Sequence, residues 1–138
     1  MYARRLPFLY AVLTVAQAAH SLEEYVADLV DWFPVVTGSL HRLTGVIPVV
    51  AMSPQTFAWL NLTLILGLVA LIPFAFRRHE RWVLRAITVI ALVEVGNGLI
   101  HLAAALVVGG YFPGSITAVV LLGAGGAVIR TLRMDRRM

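Results

Sequence analysis

The stretch WVLRAITVIALVEVGNGLIHLAAALVV, from Trp82 to Val108, decides the fold. At ~1.5 Å per residue it is long enough to cross roughly 30 Å of hydrocarbon as a helix. A charged run, Arg77-Arg78-His79-Glu80-Arg81, stops it on one side, and Gly109-Gly110-Tyr111-Phe112-Pro113-Gly114 stops it on the other. Three comparable apolar stretches run from about Pro7 to Tyr25, from Gln55 to Phe76 and from Gly114 to Leu132. Pro34, Pro48 and Pro54 break the chain between the first and second. The expected architecture is all-α: an integral membrane bundle of four transmembrane helices, up-down-up-down.

Composition agrees. Of 138 residues, 60% are apolar and 13% charged, where a soluble domain has about a quarter charged. The mean hydropathy is +0.88. One soluble core could not hide this much apolar surface, and the chain is too short for a second domain, so residues 1–138 read as a single membrane domain. There is no Cys, which excludes disulfide scaffolds and zinc–thiolate sites.

All eleven basic residues are arginines. Arg4 and Arg5 precede the first stretch, Arg77, Arg78, Arg81 and Arg85 flank the second-to-third turn, and Arg130, Arg133, Arg136 and Arg137 close the chain. Only Arg42 lies elsewhere. Positive charge at alternate ends of a bundle reports orientation, not nucleic-acid binding, and predicts that both termini are cytoplasmic. The expected location is a prokaryotic inner or cell membrane. A competing expectation is that Met1–Ser21 is a signal peptide, with Arg4-Arg5, an apolar run and the small residues Ala16, Ala18 and Ala19.

Residues 26–54 mix Asp28, Asp31, Trp32, His41 and Arg42 with Phe33, Val35, Val36, Leu40, Leu43 and Ile47. Such a mixture suits a short interfacial helix between the first two spans, acting as a cap, with a lid as the alternative.

The first polar motif is His20-Ser21-Leu22-Glu23-Glu24. On a helix His20 and Glu24 share a face one turn apart, with Gln17 on that side and Glu23 on the other flank of His20. The second is Glu94, Asn97 and His101, one stripe of a helix with Gly98 leaving room beside it. A carboxylate in mid-span costs at least ~2.5–3.5 kcal/mol, so it must be neutralised, paired or bound to a cation. Counted from the inner ends of their spans, both stripes reach the outer half of the bundle. Their convergence predicts a site in which His20, Glu24, Glu94 and His101 ligate a divalent metal, zinc first and iron second, with Glu23, Glu94 and Asn97 in catalytic roles. Asn61 is placed to add an amide. Ser115 and Thr117 are expected to bond their own helix backbone, and Pro113 to open the fourth helix. His79-Glu80 reads as a charge cluster meeting anionic lipid, His41 as a solvated loop residue, and Trp32, Trp59 and Trp82 as interfacial belts.

His20, Glu23 and Glu24, followed by Asn97 and His101 and then by Pro113 and Gly114, resemble the ordered motifs of a family of small integral membrane proteins, the HXXEE-domain proteins. The resemblance runs from His20 to the fourth stretch. It strengthens the choice of site and adds little chemistry, because the family's function is unknown.

Three functions are carried forward. The leading one is a metal-dependent, hydrolase-like membrane enzyme acting on a lipid or other apolar small molecule. The second is a metal-free acid–base isomerase or cyclase. The third is a non-enzymatic metal- or lipid-binding accessory protein, for which a homodimer is expected.

Overall fold

The computed structural model describes residues 5–77 and 80–135, except the Asp135 side chain. Arg4, Arg78, His79, Arg136 and Arg137, which figured in the reading of charge, lie outside the described residues. Every regular element among the described residues is helical. The helices are α1 (Leu6–Val26), α2 (Trp32–Thr44), α3 (Pro54–Ala75), α4 (Arg81–Val108) and α5 (Ser115–Asp135). A single 3-10 turn, Leu29–Asp31, leads into α2.

Three helices are long and apolar enough to cross a membrane: α3, α4 and Ser115–Met134 of α5. Their outward faces are apolar. Leu60, Leu64 and Leu66 on α3, Val89, Val93 and Ile100 on α4, and Ile116, Val119 and Val120 on α5 are exposed. That is the pattern expected where the solvent is lipid. α1 is about as long as α3 and α5 but carries Gln17, His20, Ser21, Glu23 and Glu24 in its C-terminal half.

Local sequence explains the boundaries. Pro54 opens α3, where a missing N–H is harmless, and the Ser53 hydroxyl caps it by accepting from the Thr56 N–H at 3.1 Å. Gly109, at φ +71°, ends α4 in the left-handed conformation that glycine adopts freely.

α1 is the central helix. It packs against α3 and α5, and α5 packs against α4. Leu6, Tyr10 and Leu13 of α1 join Val83, Ile87 and Ala91 of α4 and Leu121 and Val128 of α5 in the main core. Small residues let α4 and α5 close up. A Cβ on Gly98 would come within 3.1 Å of the Ala118 carbonyl oxygen, and one on Gly125 within 2.7 Å of Val95. Close backbone approach of this kind drives helix association where lipid removes the hydrophobic incentive.

A second core lies at the other end. Leu29, Val30, Phe57 and Phe112 are buried there, with Trp32, Phe33 and Met52 packed against them. Here α2 is half-seated. None of its residues is fully buried, and Val35, Leu40 and Leu43 are exposed. Trp32 packs on Phe112 with ring centroids 5.0 Å apart. Trp59 is exposed, and Trp82 pairs with Phe74 and with the Glu80 carboxylate. His41 sits on the last turn of α2, where its Nδ1 meets the Ile47 carbonyl at 2.8 Å.

Candidate metal centre

Helical spacing places Glu24 one turn beyond His20 on the buried face of α1. His101 comes from the C-terminal part of α4. The three side chains meet in the second core. The His101 Nε2 stands 3.0 Å and the His20 Nε2 3.3 Å from the same oxygen, Glu24 Oε1. The two imidazoles are 4.6 Å apart, edge to face. One ligand atom from each residue lies within 4.8 Å of the other two, and all three residues are buried.

The far side of each ring fixes its tautomer. The His101 Nδ1 lies 2.6 Å from the Pro113 carbonyl oxygen, an atom that can only accept. Nδ1 therefore carries the proton, and in a neutral ring Nε2 presents a lone pair. For His20 the partner is the Thr117 hydroxyl, 2.9 Å from Nδ1. That hydroxyl donates to Glu23 Oε2 at 2.5 Å, so it accepts from His20 Nδ1–H. The His20 Nε2 is buried and has no hydrogen-bond partner among the described residues. Two nitrogen lone pairs and a carboxylate oxygen thus converge with no proton of their own to share. A proton on one imidazole or a metal ion between the three would each satisfy such an arrangement. The donor types suit zinc, and ligands ~2.0–2.1 Å from a tetrahedral ion stand ~3.3 Å apart. The two contacts to Glu24 bracket that separation.

The four other predicted residues occupy different places. Glu23 points away from the cluster to the first turn of α5. It accepts from the Ile116 and Thr117 N–H groups at 3.2 and 2.8 Å, from the Thr117 hydroxyl, and from the Tyr111 hydroxyl at 3.0 Å. An anion belongs there, because the first N–H groups of a helix have no intrahelical acceptor. Partial burial, and then the Glu23 carboxylate it donates to, push the Tyr111 phenol above its ordinary value. Glu94 is buried on α4. It does not join the three converging ligands among the described residues. Seven residues separate it from His101, ~10 Å along the axis, and His101 is turned outward to Pro113. Asn97 is half-buried and lines a cavity of about 320 Å³ together with Glu24, His101, Phe57, Trp32 and Phe33. Asn61 accepts from Ser21 Oγ at 2.6 Å, and Gln17 donates to the same hydroxyl at 3.1 Å, tying α1 to α3.

One expectation is corrected. Thr117 does not spend its hydroxyl on its own helix: its nearest backbone oxygen is Gly114 O at 3.4 Å, and its short contacts go to Glu23 and His20. Ser115 shows no side-chain bond among the described residues. Gly114 was missed as a site residue. At φ +86° it passes so close that a Cβ would lie 2.6 Å from His101 Nδ1 and 2.8 Å from His20 Cε1. The signal in the sequence is the Pro113-Gly114 pair, which reads there as the opening of the fourth helix and as an element of the family pattern, not as a close approach to two histidines.

Membrane-length helices around a buried His–Glu–His centre define the class: an all-helical protein of membrane character with a candidate metal site. The chain belongs to the HXXEE family, described as "Protein of unknown function with HXXEE motif", whose pattern matches residues 11–128. No curated protein and no solved structure matches it.

Proposed function

We propose that the chain is a four-span integral membrane protein whose His20, Glu24 and His101 hold one divalent metal, zinc first and iron second, for hydrolytic chemistry on a lipid or other apolar substrate. The observation that carries this reading is the pair of Nε2 lone pairs aimed at Glu24 Oε1, with both Nδ1 atoms engaged behind them. Bound there, the ion would supply a water of lowered pKa.

The residues around it have assignable work. The apolar cavity beside Glu24 and His101, walled by Trp32, Phe33, Phe57 and Phe112, is where the substrate would lie. Asn97 offers it an amide N–H donor. Glu94, a layer deeper, is the carboxylate left to take a proton, since Glu23 already accepts four hydrogen bonds. α2, half-seated over this cavity, is the element a substrate would pass.

The membrane arrangement is part of the same proposal. α1 is taken as the fourth span, because its contacts run in antiparallel order along α3, with Ser21 bonded to Asn61 and Tyr10 to the Leu68 carbonyl. The α4–α5 hairpin runs the same way, with Gly98 beside Ala118 and Gly125 beside Ala91. These orders support an up-down-up-down bundle with the arginine-rich ends together and both termini cytoplasmic.

Elemental analysis of purified protein, after incubation with zinc, tests the centre. About one ion per chain is expected, lost in Glu24→Gln and in His101→Ala and retained in Glu94→Gln. Protein that takes up no transition metal overturns this version. A metal-free acid–base pair is the second reading, favoured by the His101–Glu24 contact, whose 3.0 Å is also hydrogen-bond length.

A further inference from the structure

If Glu94 is the group that takes a proton, that proton needs a resting place, and the register between α1 and α4 supplies one. On α1 the buried residues Leu6, Tyr10, Gln17 and Glu24 follow one another at steps of four, seven and seven. On α4 the buried residues Val83, Ile87, Glu94 and His101 follow at the same steps. Such steps keep each set on one face of its helix. The two sets are aligned at both ends: Glu24 meets His101 at 3.0 Å, and Leu6 and Tyr10 share a core with Val83 and Ile87. Two parallel helices in step bring Gln17 to the level of Glu94, ~10 Å along the axis from the Glu24–His101 contact.

Hydrogen bonding fixes what Gln17 presents at that level. The Asn61 Nδ2 donates to the Phe57 carbonyl at 3.2 Å. The Asn61 Oδ1 is then the atom left for Ser21, and it can only accept. Ser21 therefore gives its one hydrogen to Asn61, at 2.6 Å, and accepts from the Gln17 Nε2–H at 3.1 Å. The Gln17 Oε1 is thereby turned away from Ser21. Gln17 is 2% exposed, and this oxygen is buried with no donor among the described residues. A buried acceptor left without a donor is costly and rare. The polar residue of the facing set at this level is Glu94, itself 3% exposed. A carboxylate has no hydrogen to give to Gln17, whereas a carboxylic acid has one.

We propose that Gln17 is the positioning residue for the Glu94 proton: its Oε1 accepts the O–H of Glu94 once Glu94 is protonated, and so stores a proton released at the His20–Glu24–His101 centre. An O–H bond forms at Glu94 as one breaks at the group that gives the proton up. The proposal rests on the role given to Glu94 above and not on the identity of the cation.

Infrared spectroscopy of the full chain in detergent at acidic pH reads the stored proton. The carboxyl C=O band of Glu94, identified as the one lost in Glu94→Gln, should lie in the range of a hydrogen-bonded acid. Gln17→Met, similar in length and without an amide, should shift it up to the range of a free acid. Thr14→Val, whose hydroxyl donates to the Tyr10 carbonyl at 3.0 Å, should leave it in place. A wild-type band in the free range overturns the proposal even if Gln17→Met does not fold, and so does a band that Gln17→Met leaves unmoved. Melting temperatures at neutral pH add a check that needs no protonation. Glu94→Gln offers Gln17 a permanent N–H donor and should melt higher than wild type, a gain that should vanish in the Gln17→Met background. The same gain in both backgrounds, or none beside Gln17, overturns the proposal. Zinc content separates the two readings. Gln17→Met should bind as much zinc as wild type, and selective loss there would make Gln17 a support of the ligands and overturn the proposal. Wild-type protein that binds no zinc yet shows the Gln17-dependent shift overturns the metal reading and supports this one.

Discussion

Gly114→Ala is the sharpest single perturbation of the metal centre, because one methyl reaches both histidines. Two costs arise. The backbone sits at φ +86°, where a Cβ costs about 1–2 kcal/mol. The new Cβ would also lie 2.6 Å from His101 Nδ1 and 2.8 Å from His20 Cε1, against an ordinary contact of ~3.5 Å. Each ring must therefore retreat by ~0.7–0.9 Å, or α5 must move away by as much. Neither ring is free to retreat, since their Nδ1 atoms are held at 2.6 Å by Pro113 and at 2.9 Å by Thr117. Losing these two hydrogen bonds costs ~0.5–1.5 kcal/mol each, so the total is about 2–5 kcal/mol. Zinc affinity should fall at least ten-fold, as it does when the supports of metal-bound histidines are lost, ~10–100-fold. Competitive titration against a chelator reads the affinity, and thermal melting in detergent reads the stability. Gly109→Ala is the control. Its φ of +71° brings the same backbone strain, but a Cβ there meets nothing within 4 Å. It should lose stability and keep zinc. Wild-type zinc affinity in Gly114→Ala, or equal loss in both variants, would refute the reasoning.

Other perturbations reach the same centre from further out. Thr117→Val removes the acceptor of the His20 Nδ1 proton at nearly constant volume, and should weaken zinc ~10–100-fold in the chelator titration, with Thr117→Ser restoring it. Glu23→Gln takes the charge from the start of α5 but keeps an oxygen there. Stability should fall by ~1 kcal/mol, seen as a lower melting temperature, while the zinc stoichiometry stays at the wild-type value.

The apolar stretches read from the sequence lie within three residues of the helices observed at α1, α3, α4 and α5. Runs of this length leave little freedom, and breakers such as Pro54 and Gly109 act through the backbone alone. The amphipathic segment 26–54 contains a helix for the same reason, α2. At the site, what depends on one helix was legible. His20 and Glu24 share a face because of a four-residue spacing, and counting axial rise sets the stripe of Glu94, Asn97 and His101 at a height similar to theirs. What depends on the packing of three helices was not. Glu23 is sequence-adjacent to Glu24, yet 100° of rotation delivers it to a different neighbour, and nothing local says that this neighbour is a helix N-terminus. Glu94 shares the stripe of His101 but lies below the ligands, because the Pro113 carbonyl draws the ring outward. That contact spans twelve residues and a turn.

The motif elements are far apart in sequence but mechanically one unit, and the first turn of α5 joins them. Its N–H groups are satisfied by Glu23 of α1. Its Thr117 hydroxyl passes that anchorage on to His20. The residue before it, Gly114, leaves the space that the two rings occupy, and Pro113 holds His101 by its carbonyl. Displacing the α4–α5 turn would therefore disturb both imidazoles at once, while Glu24 moved with α1. A cation shared by the three ligands would resist that displacement, since it would bind only when α1, α4 and the turn are together. The same geometry that makes the cluster a candidate metal site thus makes an ion a stabiliser of helix docking, and metal removal should loosen the Pro113–Thr117 turn before it unfolds any span.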